Sequence, residues 1–118
     1  MKAEKIWLGK SLNDLEGIEV MEELKKFKRK IKKKFGVERT IVFGSAARTR
    51  FKKFNDIDMI IVSDYLRKIG PYKNSILLYS NWKLDLPIDF ICLSSREFKK
   101  LAKRVSIVKE AIEKGIEI

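Results

Sequence analysis

Thr40-Ile41-Val42-Phe43-Gly44-Ser45, then ten residues, then Asp56-Ile57-Asp58-Met59-Ile60-Ile61-Val62: one apolar run ends in a glycine-serine turn, and a second is opened by two carboxylates. Both runs are rich in β-branched residues and read as strands, over 37–43 and 57–62. The second is almost continuously apolar, as a strand covered on both faces must be. Where backbone has to approach a phosphate closely, glycine is required because a Cβ would obstruct it. A serine hydroxyl beside it can donate to a phosphate oxygen. A helix opening at Ser45 or Ala46 would aim its free N–H groups at the same place. No Gly-Lys-Ser/Thr follows, so this is not a Walker phosphate loop.

Asp56 and Asp58 lie two apart, so on a strand they face the same way. Their charges repel unless a cation sits between them. Magnesium held by carboxylates and substrate phosphates relieves that cost. Asp89 is flanked by Ile88, Phe90, Ile91 and Cys92. A lone acid inside an apolar strand, here 88–93, should be paired or ligating. If that strand neighbours 57–62, three carboxylates converge, and the third can bind metal and accept the proton of an attacking hydroxyl. Each piece alone has a plainer reading: an ordinary turn, a strand start facing water, and an edge carboxylate paired with a lysine.

Outward from this centre, Val20, Leu24, Phe27, Ile31 and Phe35 fall at spacings of three and four and mark a helix over 19–35. Glu22 and Glu23 near its start and Lys32–Lys34 near its end suit the helix dipole, and Gly36 is its stop. Its outer face carries Lys25, Lys26, Lys28, Arg29 and Lys30 as well. That run is either a solvated face or a contact for nucleic acid or an acidic partner. A short helix is expected over 46–50, a loop over 51–55, a loop over 63–71 and a helix over 72–82. Asp85-Leu86-Pro87 is a turn. Ser94 with Glu97 forms a capping-box pattern before a helix with Phe98, Leu101, Ala102 and Val105 on one face. Ile107, Val108, Ala111 and Ile112 continue or restart it, Gly115 ends it, and 116–118 form a tail. Residues 1–18 are expected to be a lead-in that packs Trp7 on the core. Strands alternating with helices give one α/β or α+β domain over 1–118.

The chain has 118 residues, 45% of them hydrophobic, which suits a single folded domain. No apolar run approaches the roughly 20 residues that a bilayer-spanning helix needs, and the N-terminus does not read as a signal peptide. Cys92 is the only cysteine, so no internal disulfide is expected; it reads as a small core residue, with a cytoplasmic location implied. The absence of histidine excludes Ser-His and Cys-His nucleophiles and imidazole metal sites. With one Cys and no His, zinc is excluded too. Any metal must be oxygen-bound, hence Mg²⁺ or Mn²⁺. A formal charge of +11 favours polyanions or an acidic partner protein, although so Lys- and Glu-rich a composition also suits heat adaptation.

Gly44-Ser45, the ten-residue interval, Asp56-x-Asp58 and the later strand acid Asp89 together resemble the nucleotidyltransferase superfamily that includes DNA polymerase β. The resemblance is nearest to its minimal members, the MNT proteins found as antitoxins beside HEPN-domain partners, and it covers roughly residues 20–118. It implies an α+β two-layer nucleotidyltransferase fold, a small mixed β-sheet with helices mainly on one face. It implies that Gly44 and Ser45 hold the β and γ phosphates of ATP or another nucleoside triphosphate. Asp56 and Asp58 would bind two Mg²⁺ (or Mn²⁺) ions, and Asp89 would complete the site as ligand or base. Arg48 matches the arginine of the family's Gly-Ser-x-Ala-Arg run and would support the loop or a phosphate. The pattern departs at Thr49, where glycine is usual, and at Asn55, where serine is usual.

The implied reaction is transfer of a nucleoside monophosphate, AMP, to an acceptor hydroxyl with release of pyrophosphate. For the antitoxin type the acceptor is a tyrosine of a HEPN toxin. The size of the chain leaves little room for an acceptor-binding domain, which also points to a partner protein. A homo-oligomer stays open. Two rival readings remain: a non-catalytic antitoxin of the same fold, and a nucleic-acid-binding module using the basic helix and the basic loop with Arg48, Arg50, Lys52 and Lys53.

Overall fold

A computed structural model describes residues 6–7, 10–11, 17–52 and 54–118. The expected packing of the Trp7 side chain, and the place of Lys53 in the basic loop, lie outside the described residues. Two short strands, β1 (Ile6–Trp7) and β2 (Lys10–Ser11), pair antiparallel. Helix α1 (Gly17–Phe35) follows, with Glu19 in its first turn and Lys32, Lys33 and Lys34 in its last. Its apolar stripe, Val20, Leu24, Phe27 and Ile31, is buried. Gly36, at φ +63, takes the left-handed conformation that ends the helix.

Strand β3 (Arg39–Phe43) runs directly into α2 (Gly44–Arg48), which starts two residues earlier than expected. Strand β4 (Ile57–Val62) has the expected bounds, and its apolar residues are fully buried because it lies inside the sheet. The expected loop after it is instead helix α3 (Asp64–Ile69). Ser63 caps this helix: its hydroxyl accepts from the Leu66 N–H at 3.2 Å and donates to the Phe35 carbonyl at 2.9 Å. Helix α4 (Pro71–Tyr79) follows, and together α3 and α4 make the crossover to β5 (Ile88–Leu93), which is parallel to β4.

Helix α5 (Ser95–Ala102) carries the complete Ser94–Glu97 capping box. The helix then breaks rather than continuing. Ser106 accepts from the Lys109 N–H and starts α6 (Ile107–Lys114). Val105, expected on the apolar face, sits in this break and is 97% exposed, because α5 has ended before it. The tail forms β6 (Ile116–Glu117), held antiparallel on β3 by the two bonds from Arg39 to Glu117 and by the Ile118 N–H on the Thr40 carbonyl.

The sheet order is β5-β4-β3-β6, with β4–β5 parallel and the β3 pairs antiparallel. Alternation assigns the two faces. Val42, Ile57, Met59, Ile61 and Ile88 share the larger core with residues of α1, α3 and α4. Ile41, Ile60, Val62 and Leu93 form a smaller one with Phe98, Val108 and Ala111 of α5 and α6. The helical mass is therefore greater on one face, as expected, while the other is also covered. Strand directions bring the end of β3 and the starts of β4 and β5 to one edge of the sheet, and that edge carries the polar residues.

Candidate functional site

At this edge Asp58 is paired with Phe43 of β3 on one side and with Asp89 of β5 on the other. The parallel register sets the two acids side by side, and Asp56 precedes β4 by one residue. One carboxylate oxygen from each of Asp56, Asp58 and Asp89 lies within 4.8 Å of the other two. Asp56 and Asp58 are half-buried and Asp89 is exposed. Among the described residues no lysine or arginine is ion-paired with any of the three. Burial, then the charges of Asp56 and Asp89, push the Asp58 carboxyl above its ordinary range.

The glycine-serine turn closes the other side. Phe43 is extended, and Gly44 turns the chain at φ +75 to open α2. A Cβ on Gly44 would lie 2.7 Å from Oδ2 of Asp58. Glycine is favoured here by its backbone angle, and a side chain would in addition push the Asp58 carboxylate aside. Ser45 sits in the first turn of α2. Ala46 and Ala47 are buried, and their small side chains let this short helix lie close on the sheet end. Thr49 closes the helix, donating its hydroxyl to the Ser45 carbonyl at 2.9 Å.

Arg48 is exposed and helps line a cleft of about 200 Å³ between α2 and α6, with Phe43, Gly44, Ile107, Ala111 and Gly115 as further walls. Gly115 is as constrained as Gly44: a Cβ there would lie 2.5 Å from the Val42 carbonyl oxygen. The sequence marked Gly115 only as a helix end; its place beside the site follows from the pairing of Ile116 with Val42. Tyr79 was also missed. Its hydroxyl donates to the Ile88 carbonyl, and burial together with the neighbouring Asp89 charge raises its phenol above the ordinary range.

The donor set fits a hard divalent cation. All three donors are carboxylates, and no nitrogen or sulfur ligand accompanies them. Oxygen ligands of Mg²⁺ sit about 2.0–2.1 Å from the ion, so opposite ligands are roughly 4 Å apart. One oxygen from each acid, all within 4.8 Å of one another, is close enough to the others to share such an ion. Burial is the larger cause of the rise in Asp58, and the neighbouring charges of Asp56 and Asp89, which a cation would neutralise, add to it.

A family model described as "Polymerase beta, Nucleotidyltransferase" matches residues 25–115, a span that includes Gly44, Ser45 and all three acids. The structure is similar to that of a candidate nucleotidyltransferase from Sulfolobus solfataricus, with a TM-score of 0.57 at 19% sequence identity, over 86% of this chain and 80% of that one. No curated protein is significantly similar to the sequence.

Proposed function

This chain belongs to the polymerase β-type nucleotidyltransferase family, and from that premise we propose that it transfers AMP from ATP to an acceptor hydroxyl, with release of pyrophosphate. The observation that carries this reading is the meeting of Asp56, Asp58 and Asp89 beside the Gly44 turn. Asp56 and Asp58, with Asp89, would hold Mg²⁺ or Mn²⁺. The ion would supply charge neutralisation along the triphosphate and at the developing oxyanions.

The residues of the chain do the rest. Gly44 leaves space for backbone to face a phosphate, and Ser45 donates its hydroxyl there. Arg48, exposed on the rim of the α2–α6 cleft, adds positive charge on the same side. Asp89 is the most open of the three acids and so the one an incoming hydroxyl can reach. Its carboxylate takes the proton of that hydroxyl as the nucleophile attacks. We further assign the acceptor to a partner protein, in the manner of an MNT-type antitoxin acting on a HEPN toxin. The likeness in the Gly-Ser and Asp-x-Asp pattern supports this, as does the site's position at an open sheet edge.

The test is incubation with labelled ATP, Mg²⁺ and the product of the neighbouring gene. Label on that product, absent with Asp56→Ala/Asp58→Ala, is the expected result. Bound ATP with no label on any acceptor would overturn transfer and leave an occluding binder. In that case Asp58→Asn would still neutralise the partner.

A further inference from the structure

On the sheet face opposite the carboxylates, α1 and the segment after α4 enclose a groove of about 490 Å³. Its apolar part is Phe27 and Trp82, which meet edge to face at 5.4 Å, with Phe90 stacked behind Phe27 at 5.6 Å. The Trp82 indole is pinned, its Nε1–H donating to the Leu86 carbonyl at 3.0 Å. Around these rings stand four cations, Lys26, Arg29 and Lys30 from α1 and Lys83 from the loop. The one acid in the lining, Glu23, is buried and already bonded to Lys26 at 3.2 Å.

Lys30 and Lys83 lie against each other, and Lys34, which donates to Asn81, stands nearby. The contact with Lys83 holds the Lys30 ammonium below the usual lysine range. Glu23 is the one acid in the lining against these four cations, so net positive charge stands over the aromatic floor and forms a ready site for a bound polyanion. Four residues along α1 advance about 6 Å, so Lys26, Lys30 and Lys34 present charge in a row rather than at a point.

We propose that this groove binds single-stranded nucleic acid, one base stacking on Trp82 while Lys26, Arg29, Lys30 and Lys83 meet successive phosphates. Bases have π faces whatever their identity, so such a platform is tolerant of sequence. An acidic peptide would satisfy the cations and leave the pinned indole unused. The strand uses both, and that favours it. The proposal does not depend on the transfer reaction assigned to the opposite face.

The experiment is fluorescence anisotropy of a labelled oligouridine of about a dozen nucleotides with the whole protein, across a salt series. The expected result is measurable binding at about 0.15 M salt, weakened about tenfold by Lys30→Ala/Lys83→Ala. That pair should also lower the slope of log K against log salt by about 1.4, since each phosphate contact on a single strand contributes about 0.7. Trp82→Leu should lose about fivefold or more with the slope unchanged. Lys25→Ala/Lys32→Ala, on the other flank of α1, should stay within about twofold of the parent. Thermal melts check that each variant is folded. Equal losses in the two lysine pairs would overturn the proposal in favour of a diffuse cationic face. Displacement by an equal concentration of oligoglutamate of matched charge would overturn it in favour of an acidic peptide. Absence of binding at physiological salt would also overturn it. Asp56→Asn/Asp58→Asn should retain the oligonucleotide, so failure of either site is seen separately.

Discussion

Gly44→Ala is the sharpest perturbation of the site, because two separate costs fall on one methyl group. The backbone cost comes from φ +75, where a residue with a Cβ loses about 1–2 kcal/mol relative to glycine. The steric cost comes from Asp58: the methyl would sit 2.7 Å from Oδ2, well inside the 3.4 Å at which ordinary contact begins. The carboxylate is the end of a side chain and can turn away, so the fold yields little while the three-acid cluster opens. The expected outcome is a stability loss of about 1–2 kcal/mol in urea with EDTA present, together with loss of Mn²⁺ binding by calorimetry. Asp58→Ala separates the two costs. In that background Gly44→Ala should still lose the backbone part but none of the contact part, and it should have no further effect on Mn²⁺. Were Gly44→Ala to bind Mn²⁺ as the parent does, the approach of Asp58 to the turn would be refuted, and with it the reasoning that joins turn and acids into one site.

Asp58 itself sets a pH dependence. Its folded-state pKa is raised, so its favourable contribution is complete below the unfolded-state pKa and is lost as pH rises through the folded one. Asp58→Asn should therefore raise the melting temperature at neutral pH in EDTA, flatten that acid-side trend and abolish stabilisation by Mg²⁺, all measurable in one set of thermal melts. Ser63→Ala removes both the α3 cap and the bond to the Phe35 carbonyl from a buried position; a loss of about 1–2 kcal/mol in urea unfolding is expected. Burial pushes the Cys92 thiol up to about 11, so a disulfide reagent at pH 8 should label it slowly until the protein is unfolded. Arg39→Ala should cost about 1 kcal/mol, because its pair with Glu117 is largely exposed and it also covers the Phe98 ring at 4.6 Å.

Where periodicity ran long enough, elements were legible in the chain. The stripe from Val20 to Ile31 declared α1, and the apolar blocks declared β4 and β5 with their observed ends. Helix α3 was not legible, because only Leu66 of its one and a half turns is buried, too little to show a period; Ser63 ahead of Asp64 was the signal that could have found it. The helix break was hidden for a related reason. Val105 continues the apolar spacing of α5 although the chain has already turned at Lys103.

Local chemistry dictated which residues could act: a glycine-serine bend, two acids at a strand start, a third acid in an apolar strand, and no imidazole. Those statements need only side-chain identity and the two-residue alternation of a strand. Which strands are neighbours, and in what register, depends on contacts between segments far apart in the chain. Pairing alone set Asp89 beside Asp58, brought Gly115 to the cleft through Ile116 on Val42, and laid the loop bearing Trp82 and Lys83 against α1. Burial of two apolar sheet faces stabilises one arrangement of these segments over its competitors, and that free energy belongs to the whole fold rather than to any stretch of it.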